Sequence, residues 1–428
     1  MSSYQETIAY LYASQPAFHQ VGAAAYKPGL DNTIRLMEHL GNPQERLRVV
    51  HIAGTNGKGS TSHLIAAALQ AEGYKVGLYT SPHLVDFRER IRIDGEMIPE
   101  EEVVRWVAAH KGILDEIRPS FFETTMAMAF DYMAREQVDI AVIEVGLGGR
   151  LDSTNIVNPL LSVITNVGID HTEFLGNSLP DIAAEKAGIM KWHVPCVVGE
   201  VSEEIAGVIE DRARACDIWG EGLETTHCRI WYANQCGYMR KRRQKEASEC
   251  QLKGAYQEKN LQTAFVTLQV LQNFCGVQIS SRAIADGFAN VCELTGLRGR
   301  WDMLAQEPLT ICDTGHNSHG IRYVVDQLKE LRVGKGALRI VLGMVKDKDI
   351  DQVLALLPED ATYYFTAPST PRAMPAEELL KRWQQLGRSD ARAFASAIDA
   401  LAQAKAEAQK EDIIFIGGSN YLVGEVMR

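Results

Sequence analysis

The residues best suited to chemistry lie in a short glycine-rich segment from Gly54 to Ser60 (GTNGKGS). The segment follows the apolar run 47–53 and precedes a helical pattern. In a strand–loop–helix unit of this kind, backbone N–H groups and the helix N-terminus converge on an anion, which predicts that the segment binds ATP phosphates. The spacing departs from the general P-loop pattern, because Gly59 separates Lys58 from the hydroxyl residue. A glycine-rich connector with a solvated lysine is the alternative.

Two later apolar runs each end in a side chain that can bind a metal ion. Glu144 lies at the end of run 140–145, and His171 follows run 160–167. Because open parallel sheets bind ligands at the carboxyl ends of their strands, both side chains are candidates for a metal site. The alternatives are a paired charge at the sheet edge for Glu144 and a hydrogen-bonded structural role for His171, since Mg²⁺ prefers oxygen ligands.

A lysine and a second acid–imidazole pair complete the candidate set. Lys186 lies in the segment Glu185–Ile189 (EKAGI), which has the character of a helix end. It can form a surface ion pair, act by its charge beside metals or phosphates, or be modified, and the residues alone favour none of these. Asp313–Asn317 (DTGHN) follows an apolar run and can present Asp313 and His316 to a cleft between domains, or form an ordinary turn before a helix.

Strand and helix patterns alternate in two blocks that must position these residues. Apolar runs bounded by Gly, Asn and Pro suit strands that are buried on both faces of a parallel sheet. The first block has such runs at 47–53, 75–80, 140–145 and 160–167, and the second at 309–312, 338–342, 363–366 and 413–416. Helical patterns are predicted at 103–109, 124–133, 321–331, 350–357, 376–386 and 396–406. We place the domain boundary at the glycine-containing stretch 295–300.

Length, charge and composition exclude several classes of protein. The 428 residues correspond to two or three domains, at roughly 150 residues each. A net charge of −11 gives no global basic surface for nucleic acid or anionic lipid, and the basic run 239–245 is more typical of a solvated turn. Eight cysteines without a CxxC pair argue against a zinc site or a disulfide framework. The lack of long apolar runs and of signal-peptide features predicts a cytoplasmic protein without membrane partners.

Taken together, these motifs resemble the folylpolyglutamate synthase/dihydrofolate synthase family, a branch of the Mur-type ATP-dependent amide ligases. The matching motifs occur in the family order, and they are His51–Ser60 (HIAGTNGKGS), Tyr79–Arg92 (YTSPHLVDFRERIR), Glu144–Asn155 (EVGLGGRLDSTN), Asn166–His171 (NVGIDH), Glu185–Ile189, Leu297–Trp301 (LRGRW), Asp313–Asn317 and Gly417–Glu425 (GGSNYLVGE). The GKGS form is what the phosphate loop of this branch looks like. The YTSPHL and EVGLGGRLD motifs separate the chain from the peptidoglycan ligases.

The resemblance implies an α/β fold with two domains. An N-terminal P-loop-type ATPase domain, with a mostly parallel sheet and a smaller antiparallel part, is expected over residues 1–297. A C-terminal Rossmann-like α/β domain is expected over residues 298–428 and closes on the first domain. The segment 221–250 matches no motif of the family.

The resemblance also implies roles for individual residues. ATP would be bound by the phosphate loop and by three more distant residues: Gly54, Thr55, Asn56, Gly57, Lys58, Gly59, Ser60, Asn260, Arg300 and Asp313. Two Mg²⁺ ions would be held by Ser81, Glu144, His171 and a carbamylated Lys186. The pterin substrate would meet Ser120, Phe121, Phe122, Glu123, Leu151, Asp152 and Ser153, with a contribution from the region of Gly29 and Leu30. Lys58, Lys186 and His316 would act in catalysis.

The activity that the resemblance implies is the addition of L-glutamate to dihydropteroate, to the γ-glutamyl tail of a reduced folate, or to both. The reaction would pass through an acyl phosphate and release ADP and phosphate. The enzyme would be a monomer that acts on small molecules. Two alternatives remain. One is a Mur-type ligase for a peptidoglycan precursor, against which the SPHL and LGGRLD motifs argue. The other is a non-catalytic nucleotide-binding module, against which the complete set of candidate residues argues.

Overall fold

The structure is a computed structural model that describes residues 3–15, 29–218, 230–233, 249–334, 336–346 and 349–428. Within these residues, the chain forms an eight-stranded sheet followed by a six-stranded sheet. Most of the segment 221–250, including the basic run 239–245, lies outside the described residues. No helix in the described ranges is long and apolar enough to cross a membrane.

The first sheet is parallel except at one edge. Its strands are β1 (Val49–Ala53), β2 (Val76–Tyr79), β3 (Ile91–Ile93), β4 (Glu96–Met97), β5 (Ile140–Glu144), β6 (Leu161–Ile164), β7 (Cys196–Val198) and β8 (Ile230–Tyr232). They are arranged in the order β4-β3-β2-β5-β1-β6-β7-β8, and only β3 and β4 run antiparallel to their neighbours. The central strands β1, β5 and β6 are buried along their whole length, as expected for apolar strands covered by helices on both faces.

Helices cover both faces of this sheet. They are α1 (Tyr4–Ser14), α2 (Asp31–His39), α3 (Lys58–Glu72), α4 (Glu100–Ile117), α5 (Phe121–Arg135), α6 (Thr172–Leu175), α7 (Leu179–Ala187), α8 (Glu203–Ala215), α9 (Gln257–Phe274), α10 (Ser281–Ala289) and α11 (Val291–Thr295). One core cluster joins α3 to α9, α10 and α11, and a second joins α1, α2, α4 and α5 on the opposite face. Every residue of α3 from Ser60 to Leu69 is buried, so the helix that follows the phosphate loop lies inside the domain.

The second sheet is also mostly parallel. Its strands are β9 (Asp302–Gln306), β10 (Leu309–Asp313), β11 (Leu338–Leu342), β12 (Thr362–Thr366), β13 (Ala391–Phe394) and β14 (Ile413–Gly417), in the order β13-β12-β11-β14-β10-β9. Only β9 runs antiparallel to its neighbour. The helices are α12 (Ser318–Leu331), α13 (Ile350–Leu356), α14 (Ala376–Gln385), α15 (Ala397–Glu407) and α16 (Asn420–Val426). They cover both faces and form two core clusters.

The α/β fold predicted from the sequence is confirmed. The eight apolar runs coincide to within a few residues with β1, β2, β5, β6, β10, β11, β12 and β14. The strands that were not predicted from the sequence are short or lie towards the sheet edges, where apolar runs are weak, and they are β3, β4, β7, β8, β9 and β13. The division of the chain at residues 297 and 298 stays a prediction.

The close contact at Gly287 allows the packing of α10 against α3 to be tested. A β-carbon at this position of α10 would lie 2.5 Å from Ala68 Cα and 2.6 Å from Ala68 N on α3. Gly287→Leu must push the two helices apart, and we expect the free energy of unfolding to fall by about 1–3 kcal/mol in thermal or urea unfolding. The control is Gly207→Ala on α8, where nothing lies within 4 Å of the added carbon. Equal stability of Gly287→Leu and the parent protein would contradict the close approach.

Candidate active site

A cleft of about 290 Å³ opens where both domains meet at the carboxyl ends of the central strands. It brings together most of the residues that the sequence analysis selected. These are Gly54, Thr55, Lys58, Ser81, Ser120, Phe121, Phe122, Glu123, Leu151, Asp152, Ser153, His171, Lys186 and His316. Eight other candidates, which do not line the cleft directly, are Asn56, Gly57, Gly59, Ser60, Glu144, Asn260, Arg300 and Asp313.

The phosphate loop is held by the segment that follows β6. Thr55 Oγ1 donates to the carbonyl of Gly168 and accepts from its N–H, each at 3.0 Å. The N–H of Asn56 donates to Asn166 Oδ1 at 2.9 Å. These bonds account for the NVG part of the Asn166–His171 motif, because it supports the backbone of the loop.

A glycine is required at the start of α3. Gly57 has a φ of +81° and caps the helix. A β-carbon on Gly57 would lie 2.1 Å from Asn260 Oδ1, so the amide of Asn260 occupies the space that a larger residue would need. The structure therefore places Asn260 directly against the phosphate loop.

Lys58 is the first residue of α3, and its side chain curls over the loop. Lys58 Nζ donates to the carbonyl of Gly54 at 3.0 Å and to that of Thr55 at 3.2 Å. The ammonium group thus lies within the loop that was predicted to bind phosphates. A lysine in this position supplies positive charge where the terminal phosphates of a nucleotide would lie.

Glu144 lies at the end of β5 in a positive electrostatic environment. It is only 3% exposed, and its Oε2 accepts from the N–H of Ser81 at 3.0 Å. Burial raises the pKa of the Glu144 carboxyl, while Lys58, the Ser81 N–H, Arg300 and Arg90 oppose that rise. Burial outweighs these groups, so the pKa stays raised, and the positive charges only partly offset the cost of the ionised carboxylate, which is the form that binds a metal ion.

Arg300 reaches the same place from the segment between the domains. A β-carbon on Gly59 would lie 3.8 Å from Arg300 Nη2 and 3.7 Å from Glu144 Oε2. Gly59 therefore lies within ordinary van der Waals range of a cation and an anion beside the first turn of α3.

Two of the residues predicted to bind metal offer the donor atoms that a hard divalent ion prefers. Ser81 and Glu144 offer oxygen atoms, which Mg²⁺ prefers. His171, with a φ of +51°, begins α6, and its Nε2 lies 3.9 Å from Asp170 Oδ1. The described residues contain no group of three or more His, Cys, Asp and Glu side chains arranged to hold a metal ion. A site built here therefore needs the hydroxyl of Ser81 and ligands from substrate or solvent.

Lys186 is buried in α7, where it lines the cleft at 2% exposure. Burial, and then the charge of Lys58, lowers the pKa of the Lys186 amine to about 7, although Asp170 and Glu185 raise it. A surface ion pair, one of the three roles open from the sequence, is wrong because the side chain is not at the surface. A large fraction of the amine is neutral near neutral pH, and the neutral amine is the form that reacts with CO₂.

The polar residues predicted to meet the pterin already have partners. Ser120 and Glu123 form a capping box at the start of α5, in which Glu123 Oε2 accepts from the Ser120 N–H at 2.6 Å. Thr33 donates to Glu123 Oε1 at 3.1 Å. Asp152 accepts from the N–H of Leu147 at 2.9 Å. These acids shape the cleft, and its apolar wall comes from Phe121, Phe122 and Leu151.

The Ser-x-x-Glu spacing before an apolar helix is a capping signal that the sequence analysis did not use. This pattern alone predicts that Ser120 and Glu123 form the start of a helix. The substrate contacts predicted for these two residues stay predictions, because both also line the cleft.

Asp313 connects the domains from a buried position. Its carboxylate accepts from the Tyr256 hydroxyl at 2.5 Å, the Trp301 N–H at 2.8 Å and the Gly315 N–H at 2.7 Å. Both carboxylate oxygens of Asp313 therefore accept hydrogen bonds from other groups of the protein. The DTGHN motif also brings His316 into the cleft, where His316 Nδ1 lies 3.0 Å from the Thr314 carbonyl.

A second interdomain contact was not predicted from the sequence. Asn317 Nδ2 donates to Asn56 Oδ1 at 3.0 Å and to Asp170 Oδ2 at 3.2 Å. Asn317 is also the N-cap of α12, and its Oδ1 accepts from the Gly320 N–H at 2.8 Å. Asn56 Nδ2 also lies 3.1 Å from His319 Nδ1. We call Asn56, Asn317 and His319 the interdomain latch. It ties the phosphate loop to the second domain.

Comparison with known proteins defines the class. Residues 52–268 match the family model for the Mur ligase middle domain, and residues 299–420 match that for the Mur ligase, glutamate ligase domain. The chain therefore has the domains of a Mur ligase.

Individual relatives specify the branch. The chain is 31% identical over 421 residues to a dihydrofolate synthase/folylpolyglutamate synthase of Bacillus subtilis, which covers 94% of this chain and 95% of that protein. It is 32% identical over 93% of its length to a probable bifunctional folylpolyglutamate synthase/dihydropteroate synthase of Haloferax volcanii, but it spans only 48% of that protein. The chain belongs to the folylpolyglutamate synthase/dihydrofolate synthase family.

Solved structures agree with this assignment. Escherichia coli FolC in complex with DHPP and ADP superposes with a TM-score of 0.83 at 29% identity, covering 100% of this chain and 97% of that chain. The bifunctional folylpolyglutamate synthase/dihydrofolate synthase of Yersinia pestis, complexed with AMPPNP and Mn ion, gives a TM-score of 0.82 at 29% identity, with 100% and 98% covered.

The interdomain latch predicts that nucleotide affinity depends on Asn317. Asn317→Asp keeps a good N-cap, but it loses the donor to Asn56 and Asp170 and adds an anion beside the phosphate loop. Since each hydrogen bond contributes about 0.5–1.5 kcal/mol, we expect binding of a non-hydrolysable ATP analogue to weaken about tenfold in calorimetric titration. Asp349→Asn, the reverse exchange at the N-cap of α13, is the control. Unchanged affinity of Asn317→Asp would contradict a role for the latch.

Proposed function

We propose that this chain is an ADP-forming carboxylate–amine ligase that adds L-glutamate to dihydropteroate, to the γ-glutamyl tail of a reduced folate, or to both. The observation that carries the proposal is the cleft itself. In and beside it, the loop lysine Lys58, the buried carboxylate Glu144 and the interdomain arginine Arg300 meet next to an apolar wall. That combination suits an anionic nucleotide and an aromatic substrate that carries a carboxylate.

The reaction has two steps. The carboxylate oxygen of the acceptor attacks the γ-phosphorus of ATP, the bond to the β-phosphate oxygen breaks, and an acyl phosphate and ADP result. The amine of L-glutamate then attacks the acyl carbon, phosphate leaves, and the amine loses a proton as the amide forms. Because two anions meet in the first step, positive charge from Lys58 and Arg300 offsets their repulsion.

Ser81, Glu144 and His171 are proposed to hold Mg²⁺, with Lys186 as a ligand of a second ion when it is carbamylated. The oxygen donors of Ser81 and Glu144 fit such an ion, as described above. Bound Mg²⁺ supplies further neutralisation of the phosphate charge.

Water must be kept from the acyl phosphate, which it would hydrolyse. The cleft lies between two domains, so their approach can exclude solvent during the reaction. The Tyr256–Asp313 hydrogen bond and the interdomain latch support the closed arrangement. His316 faces the cleft from the second domain, and we assign it the orientation of the transferred phosphate. We place the enzyme in the cytoplasm, acting as a monomer on small molecules.

The proposed activity predicts that ADP release requires both glutamate and a pteroate or folate acceptor. Purified protein is assayed in parallel with dihydropteroate and with tetrahydrofolate, and activity with both acceptors would identify a bifunctional enzyme. Lys58→Ala should lower turnover at least about 100-fold, because it removes charge at the transferred phosphate. Lys111→Ala, on the exposed side of α4, is the control.

Two outcomes would contradict this proposal. Full activity of Lys58→Ala would exclude the assigned role of the phosphate loop. ATP binding without turnover on either acceptor would overturn the substrate class, and a peptidoglycan precursor would then be tested next.

The buried amine predicts that Lys186 is carbamylated by CO₂. Because the pKa of Lys186 is lowered to about 7, the reactive neutral amine increases as the pH rises through that value. Isotopically labelled bicarbonate should give a carbamate signal by NMR that grows with pH in this range. The signal should be absent in Lys186→Arg and present in the control Lys191→Arg. A wild-type protein without the signal under alkaline conditions would refute the modification.

A further inference from the structure

A buried arginine lines the cleft without a carboxylate partner. Arg90 ends the 3-10 turn Phe87–Arg90, which leads into β3, and it is 5% exposed. It lines the same cleft as Lys58 and Phe121. Its position was not singled out by the sequence analysis, because the DFRERIR segment contains three arginines.

Its contacts use only part of the guanidinium. Arg90 Nε donates to His83 Nδ1 at 2.8 Å, and the Arg90 Cζ lies 5.4 Å from the centroid of the Phe121 ring. His83 Nε2 lies 3.4 Å from the Tyr12 hydroxyl, so the imidazole is fixed at both nitrogens. Across the described parts of the chain, neither Nη group of Arg90 forms a hydrogen bond to a protein acceptor. The guanidinium has five N–H donors, so the two Nη groups can still bind a ligand.

The neighbouring Arg88 and Arg92, by contrast, donate from their Nη groups to acceptors of the protein. Arg88 pairs with Asp86 at 2.9 Å, and Arg92 Nη1 donates to the carbonyl of Gly95 at 2.7 Å. No aspartate or glutamate in the described ranges forms a salt bridge with Arg90. The two Nη groups of Arg90 therefore remain available as charged donors to an anion from outside the chain.

Three acids of this region of the fold already accept hydrogen bonds within the protein. Glu89 accepts from the N–H groups of Leu84, Val85 and Asp86, which fixes the loop before the turn. Glu123 belongs to the capping box of α5, and Glu144 accepts from the N–H of Ser81. Each of these carboxylates would have to give up hydrogen bonds to backbone N–H groups in order to pair with Arg90.

We propose that Arg90 binds the reacting carboxylate of the acceptor through its two Nη groups, while the aromatic part of the acceptor packs on Phe121 and Phe122. This inference rests on the proposed function. Arg90 lines the same cleft as Gly54 and Lys58, so a carboxylate bound to Arg90 shares that cleft with the phosphate loop. The planar, fork-shaped guanidinium suits a carboxylate, because two parallel N–H···O bonds fix the orientation of the carboxylate. His83 is the positioning residue that holds the fork in place.

The test compares two ligands that differ only at the carboxylate: dihydropteroate and its carboxamide. Binding of each is measured by calorimetric titration to the intact protein in the presence of a non-hydrolysable ATP analogue. Hydrogen bonds between charged groups contribute about 1.5–3 kcal/mol, so the wild-type protein should prefer the carboxylate at least about tenfold. Arg90→Gln should bind both ligands equally. Arg88→Gln, whose side chain lies outside the cleft, should keep the full preference.

Arg90→Lys provides a second variant that keeps the charge and removes the fork. We expect it to retain only part of the preference and to raise the KM for the acceptor, with the KM values for ATP and glutamate unchanged. If Arg90→Gln fails to fold, the wild-type ligand comparison and Arg90→Lys still decide the question.

The outcomes separate this inference from the proposed function. A wild-type protein that releases ADP with dihydropteroate but binds the carboxamide equally well would overturn the assignment of Arg90 alone. A full carboxylate preference in Arg90→Gln would do the same. Failure of the wild-type protein to turn over any pteroate or folate acceptor would instead overturn the proposed function.

Discussion

The pairing of β1 between β5 and β6 is the constraint on which the rest of the site depends. Ile52 of β1 lies opposite Glu144 of β5 on one side and Val163 of β6 on the other. Because all three strands are parallel and end at the same edge, the phosphate loop, the buried carboxylate and the segment that supports the loop leave the sheet together. Arg300 reaches the same edge of the sheet, where it lies beside Gly59.

Charge is the second organising principle of the cleft. Three cations surround one buried carboxylate, and two of the acids that line the cavity accept hydrogen bonds from backbone N–H groups. The chain as a whole carries a net charge of −11, so the positive potential is local. A site of this kind attracts multiply charged anions without giving the surface a general affinity for polyanions.

The sequence predicted best those features that are contiguous in the chain. The phosphate loop and Glu144 lie at the ends of apolar strands, so a local pattern was enough. Arg300 was assigned only through the family resemblance, and the resemblance was also needed to assign Asp313 to the nucleotide. The contact of Asn56 with Asn317 joins residues that are 261 positions apart, and no local pattern encodes it. Arg90 is chemically identical to Arg88, so only the burial and the partners seen in the fold distinguish them.

Asn56 lies in the phosphate loop and also in the contact between the domains. If the phosphate loop binds nucleotide as proposed, nucleotide binding and the contact between the domains share Asn56, and thermodynamic linkage makes their effects on each other reciprocal. If approach of the domains tightens the hold on the nucleotide by some factor, the nucleotide favours the approached state by the same factor. On the same condition, opening of the interdomain latch would weaken the hold on the nucleotide and so favour its release.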